Sequence, residues 1–172
     1  GGIVAVTSLW ADERIYYPLH VKPYTPAARL PKGKADPEFR TKPRLAVELV
    51  DAAREAGFAF RAVVADCFYG ENPTFESALA EAGLPYVLAL KPSSGVWAPV
   101  ESSHTPEEAA HELRWAGPEA PGDWTPVTRR FRDGHAETWW AADLCFGPYG
   151  PDQALRGVVT TTDPARLPPL TT

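Results

Sequence analysis

Apolar residues open the chain in two short extended runs, Ile3 to Trp10 and Arg14 to Val21 (RIYYPLHV), with Asp12-Glu13 between them. β-Branched and aromatic runs that flank a polar turn pair predict a β-hairpin. Pro23 to Pro43 then carries no hydrophobic period and is punctuated by proline. A connection of about 20 residues is long for a structureless loop in a compact domain and points to function or mobility. Order returns at Pro43, which suits the first position of a helix. Leu45, Leu49, Val50 and Ala53 share one helical face, and Gly57 stands where a left-handed residue closes the helix. Within Arg61 to Cys67, Ala62-Val63-Val64-Ala65 is continuous rather than alternating, the pattern of a buried strand. Asn72 reads as a cap with Pro73 behind it, Phe75, Ala78, Leu79 and Ala82 as an apolar face, and Gly83 as a stop. Pro85 to Leu90 is a second continuous apolar strand. Two such strands joined by a helix form a βαβ crossover and pair in parallel.

The pattern changes beyond Lys91-Pro92. Ser93 to Ser103 reads as loop. Thr105-Pro106-Glu107-Glu108 is a capping box that opens a short helix to about Leu113. Trp124 to Arg132, a turn at Asp133-Gly134 and a return over Glu137 to Phe146 predict a hairpin. Gly147 to Pro151 is a second turn, followed by a strand from Leu155 to Thr162. The fold class is therefore α/β over residues 1–92 with a β-rich part over 93–172, and no internal repeat is present.

Composition narrows this picture. At 172 residues and 18.7 kDa the chain is one domain, or one domain with a subdomain. Hydrophobic residues at 44% and charged residues at 23% exclude disorder and collagen-like repeats. No apolar run approaches the ~18 residues of a membrane helix, and no signal-peptide pattern opens the chain. Cys67 and Cys145 form no CxxC and no disulfide framework, so reduced cytosolic thiols are the default. There is no methionine. Residue 1 is thus not expected to be a translation start, and the chain is expected to be an internal fragment whose catalytic set is partial.

Net charge is −5 with a pI near 5.4, the wrong sign for a protein that coats nucleic acid. Its distribution is uneven. Arg29, Lys32, Lys34, Arg40, Lys42 and Arg44 outweigh Asp36 and Glu38 to give a local +4, whereas Glu101 to Asp123 carries a local −5. Arg129, Arg130 and Arg132 form a second basic group. Solvated surface is the commoner role of such charge runs, and contact with a phosphate backbone is the functional alternative.

The sharpest chemical signal is Asp66, the single charge in Ala62 to Phe68, at the carboxyl end of a strand predicted to be buried. Ligand sites of open α/β sheets lie beyond strand C-termini. A buried carboxylate there needs a cation or hydrogen-bond donors. The bland alternative is a strand-end aspartate that accepts backbone N–H bonds in the following turn. Asp12 in a hairpin turn and Glu137 early in a strand are weak substitutes. Lys91 follows the second strand and could meet a phosphate, or be an ordinary strand-end lysine. Of Trp139 and Trp140, one faces inward and one outward; an exposed one could stack on an extruded base, though core packing is the commoner role. His20, His104, His111 and His135 show no metal-ligand spacing. No HExxH, GxGxxG, GxxxxGKS or nucleophile elbow is present, which argues against zinc hydrolysis, nucleotide-binding loops and α/β-hydrolases.

The stretch VVADCFYGENPTFESALAEAGLPYVLALKPS resembles the segment around the second catalytic aspartate of DDE-type insertion-sequence transposases, the DDE superfamily endonucleases. There a strand ends in an AD-x-x-YG pattern and a short helix ends in GLPYVL. VAVTSLWADERIYYPLHVKPY resembles the hairpin that follows the first catalytic aspartate, and KPRLAVELVDAAREAGF fits the following helix. The resemblance covers residues 2–92 well and 93–172 loosely, as a β insertion. It implies a partial ribonuclease H-like core, a mixed sheet with helices. It further implies a site in which three carboxylates hold two Mg²⁺ or Mn²⁺ ions for phosphodiester hydrolysis and strand transfer at transposon ends.

On that basis Asp66 is the second carboxylate and metal ligand, and Lys32, Lys34, Arg40, Lys42, Lys91, Arg129, Arg130 and Arg132 are DNA-backbone contacts. The first aspartate is expected just upstream of Gly1 and the final glutamate on a helix after the insertion, so the fragment alone is expected to be inactive. Double-stranded DNA is the implied partner, a homodimer the implied assembly of the parent, and a bacterial cytoplasm, with nucleoid association during activity, the implied location. The rival readings are a non-catalytic α/β interaction module, with Tyr16, Tyr17, Trp139 and Trp140 as its exposed aromatics, and a domesticated transposase relic.

Overall fold

A computed structural model describes residues 2–93, 105–144 and 156–170. They divide into two compact units, residues 1–90 and 91–172.

In the first unit, β1 (Val4–Ala11) and β2 (Tyr16–Tyr24) form the expected antiparallel hairpin. Asp12 makes its turn, its Oδ1 accepting the N–H groups of Arg14 and Ile15 at 2.7 and 2.8 Å. A bulge between Ser8 and Leu9 shifts the register. The connection that follows is more ordered than its sequence suggests. It holds two 3₁₀ turns, Ala27–Arg29 and Gly33–Ala35, elements too short to show a hydrophobic period.

Helix α1 (Lys42–Glu55) starts one residue earlier than expected, with the Thr41 hydroxyl accepting the Arg44 N–H as N-cap and Pro43 second in the helix. Gly57, at φ +79°, ends it. Its N–H reaches Arg54 O and that of Phe58 reaches Ala53 O, so the last carbonyls are satisfied. Leu45 and Leu49 bury against Val6 of β1, with Tyr24, Ala46 and Tyr69 packed around them. Lys22 of β2 donates to Glu48 of α1 and Arg40 lies 3.4 Å from it, and the Lys22 hydrogen bond holds the Glu48 carboxyl below its usual range.

β3 (Val63–Ala65) and β4 (Tyr86–Leu88) pair in parallel, as the crossover pattern required. Between them lie α2 (Cys67–Gly70), read from sequence as a plain turn, and α3 (Pro73–Glu81), capped by Asn72. Phe75 and Leu79 of α3 are 2% and 1% exposed. The expectation of fully buried strands is corrected. Val64 is 75% and Val87 61% exposed, because β3 and β4 form a two-stranded sheet whose side chains are half-buried on one face and open on the other.

In the second unit, α4 (Pro106–His111) carries the complete capping box, with Thr105 and Glu108 exchanging bonds at 2.8 and 3.2 Å. β5 (Thr125–Arg130), β6 (Ala136–Leu144) and β7 (Gly157–Thr161) form an antiparallel meander in that order. α4 packs on β6, with Ala110, Trp124 and Ala142 buried. Asp123 closes the loop from Arg114, accepting its backbone N–H at 2.7 Å and its guanidinium at 2.8 Å. The loop expected over Ser93 to Ser103 (apart from Ser93), Cys145, the end of the second hairpin strand and the Gly147 to Pro151 turn lie outside the described residues.

Candidate functional site

Asp66 stands one residue beyond β3 and is the N-cap of α2. Its backbone is extended and its Oδ1 accepts the Phe68 N–H at 3.0 Å, while its main-chain carbonyl accepts the amides of Tyr69 and Gly70. The side chain is exposed, and among the described residues its other oxygen accepts no hydrogen bond. One carboxylate oxygen is thus fixed by the turn and the other faces outward. The cap reading of Asp66 is met by this geometry, and the exposed side chain stays open to solvent.

The residues behind Asp66 explain the AD-x-x-YG spacing. Tyr69 packs on the Val6–Leu45–Leu49 cluster and against Phe75 at 5.5 Å between ring centroids. Burial, then the Asp66 charge, pushes its hydroxyl above the ordinary tyrosine range. Gly70 is buried where a Cβ would lie 2.1 Å from Ala89 O, so the turn sits directly against the strand end of β4. Phe68, edge-on to Tyr69 at 5.1 Å, also lies under the ammonium of Lys42 at 5.2 Å, and Lys42 reaches the Tyr24 ring at 5.3 Å. The sequence marks Phe68-Tyr69-Gly70 as a sharp turn after Asp66 but shows neither the packing of Tyr69 and Gly70 nor the Lys42–Phe68 contact. The fixed distance of Tyr69 and Gly70 from Asp66 was the available signal.

No group of three His, Cys, Asp or Glu side chains among the described residues could hold a metal. Asp66 fits one ligand position for a hard divalent cation, an exposed oxygen on a rigid turn, but supplies only that one. Asp12 is committed to its hairpin turn. Glu137 accepts the Trp139 indole N–H at 3.0 Å and lies 3.5 Å from His135.

The basic candidates divide between the two units. Lys32 and Lys34 are exposed around the second 3₁₀ turn. Arg40 is spent internally, donating to the carbonyls of Pro37 and Phe39 at 2.7 and 2.9 Å beside Glu48. In the second unit Lys91, Arg130 and Arg132 are exposed, and Arg129 lies over the rings of Phe131 and Trp139 at 4.5 and 5.6 Å. Phe131 in turn stacks on His135 at 4.2 Å. Trp140 packs edge-on against Trp115 at 4.6 Å; Trp139 and Trp140 are both half-buried, which corrects the expectation of one inward and one exposed ring.

With the strand, cap, tyrosine and glycine of this segment in place, comparison decides the family. A family model described as DDE superfamily endonuclease matches residues 2–144. The chain belongs to this family. It is also similar to a protein of Microchaete diplosiphon named "Probable transposase for insertion sequence element IS701", at 32% identity over 172 residues. That alignment covers 99% of this chain and 40% of the relative, so this DDE-family chain spans well under half the length of the relative. No solved structure matches it. Among the described residues of this DDE-family chain no helix is long and apolar enough to cross a membrane.

Proposed function

We propose that this chain is the part of a DNA transposase that contributes the second metal-binding carboxylate, Asp66, to cleavage and strand transfer at transposon ends. The observation that carries the reading is the Asp66 carboxylate itself, exposed at a strand C-terminus and oriented by a capped turn that two buried contacts pin. Residues 1–90 would form a partial ribonuclease H-like core. Its two separate two-stranded ladders, β1–β2 and β3–β4, leave strand edges that a complete mixed sheet would pair. Residues 91–172 would be the β-rich insertion. The remaining carboxylates of the set belong to the longer protein in this reading.

Divalent cations, when bound, supply an activated water or 3′-hydroxyl and stabilise the leaving oxygen. What this chain does is local. Asp66 offers an oxygen ligand, Tyr69 and Gly70 fix its turn, and exposed Lys32, Lys34, Lys91, Arg129, Arg130 and Arg132 meet phosphates that demand charge rather than sequence. In this reading the whole protein acts on double-stranded DNA as a dimer in the bacterial cytoplasm. A non-catalytic binding module has one observation in its favour, the use of Asp66 as an N-cap.

Asn caps as well as Asp but is a far poorer ligand for hard cations. Calorimetry of Mn²⁺ binding to the full-length protein separates the readings. Asp66→Asn should fold normally and bind Mn²⁺ at least about tenfold more weakly; unchanged Mn²⁺ binding would favour the binding module.

A further inference from the structure

We propose that Lys42 is a positioning residue for Asp66, not a contact to the DNA backbone. This inference rests on the reading of Asp66 as a metal ligand. Lys42 is half-buried, and its ammonium lies over two aromatic rings, Tyr24 at 5.3 Å and Phe68 at 5.2 Å. Among the described residues no carboxylate lies within ion-pair distance of it. It stands at the first position of α1, the end of a helix that disfavours cations, so the ring faces must supply what holds it there.

The two rings differ in what anchors them. Tyr24 belongs to β2 and packs on the Val6–Leu45–Leu49 core. Phe68 is 51% exposed and touches Tyr69 edge-on. Lys42 therefore ties an exposed ring to a fixed one. The tied ring carries the backbone N–H that holds Asp66 Oδ1 at 3.0 Å. Releasing Phe68 loosens the hydrogen bond that orients the carboxylate, whereas a lysine committed to phosphate would extend its amine into water.

Lys42→Met keeps the aliphatic stem and removes the charge; Lys42→Arg keeps the contact with the rings. In the 172-residue chain, amide exchange at Phe68 should be about fivefold faster in Lys42→Met, with Leu45 and Leu49 amides unchanged as a check on folding. In the full-length protein the same variant should weaken Mn²⁺ binding by a similar factor and leave the affinity for transposon-end DNA and its salt dependence alone. Lys42→Arg should restore both readouts. The proposal is overturned by unchanged Phe68 exchange, or by a DNA salt slope that falls by about one with Mn²⁺ binding intact, the mark of a phosphate contact. Asp66→Asn is the parallel control. If it leaves Mn²⁺ binding intact, the metal reading fails, while Phe68 exchange in the Lys42 variants still reports on the clamp.

Discussion

Replacing Gly70 by alanine tests whether the Asp66 turn is held as tightly as its packing implies. Gly70 does not adopt a left-handed backbone, so on conformational grounds alanine should help by up to about 1 kcal/mol. The surroundings reverse that sign. A Cβ at this position would lie 2.1 Å from Ala89 O, and 3.2 Å from both Ala89 C and Leu88 Cβ. The obstacle is mainly the backbone of Ala89, one residue past β4, which cannot rotate aside, so α2 and the end of β4 must part by about 1 Å to reach ordinary contact. Overpacking of this kind costs about 1–3 kcal/mol, and more where backbone must move. The net expectation is a loss of about 1–2 kcal/mol, equivalent to roughly 5–15 °C in the melting temperature of a unit this size. Urea denaturation followed by circular dichroism gives the stability, and hydrogen exchange over residues 63–89 gives its location. Gly83→Ala is the control, at φ +64° with open space around the new Cβ, and should cost about 1 kcal/mol from backbone strain alone without loosening the turn. A Gly70→Ala chain as stable as the parent, with unchanged exchange at Phe68, would refute the close approach of the turn to β4.

Phe75→Ala, at a side chain only 2% exposed between α3 and Tyr69, should cost about 3–5 kcal/mol in urea denaturation of the first unit. Lys22→Met should raise the Glu48 carboxyl in an NMR titration yet change stability by no more than about 1 kcal/mol, since both partners are about a third exposed or more. Hydrogen bonds from Arg114 hold the Asp123 carboxyl at about 2 against an ordinary 3.8. As pH falls the unfolded chain takes up this proton first, so the stabilisation is intact above about pH 4 and is lost towards pH 2. A carboxyl ¹³C titration of Asp123 should show its midpoint near 2, and Arg114→Ala should return it towards the ordinary value.

Much of the fold was legible because its signals are local. Thr105 with Glu108, Asn72 with Pro73, and the glycines at 57 and 83 mark helix ends by chemistry that acts within a few residues, and α1, α3 and α4 follow them closely. The hairpins follow in the same way from Asp12 and from Asp133-Gly134. What escaped depends on contacts distant in sequence. Val64 and Val87 read as buried because a continuous apolar run does not say how many layers cover it, and here one face stays open. The four residues of α2 are too few to show a period, and their order comes from the Asp66 cap, the Tyr69 ring in the core and the fit of Gly70 to Ala89. At the site, Asp66 stood out as a lone charge in an apolar run. Lys42 did not, because its partners Tyr24 and Phe68 lie 18 and 26 residues away, on either side of it in the sequence.

The most direct test of Asp66 is DNA cleavage by the full-length protein. Wild type and Asp66→Asn are compared on a duplex carrying a transposon end, in Mg²⁺ and in Mn²⁺, with binding of the same duplex measured in EDTA. If Asp66 is a metal ligand, Asp66→Asn binds the duplex as wild type does and loses at least about a thousandfold in cleavage rate with either ion. Cleavage within a few-fold of wild type, from a variant that keeps its cap and binds DNA, would contradict that role and leave Asp66 as a residue that only ends a strand and starts a turn.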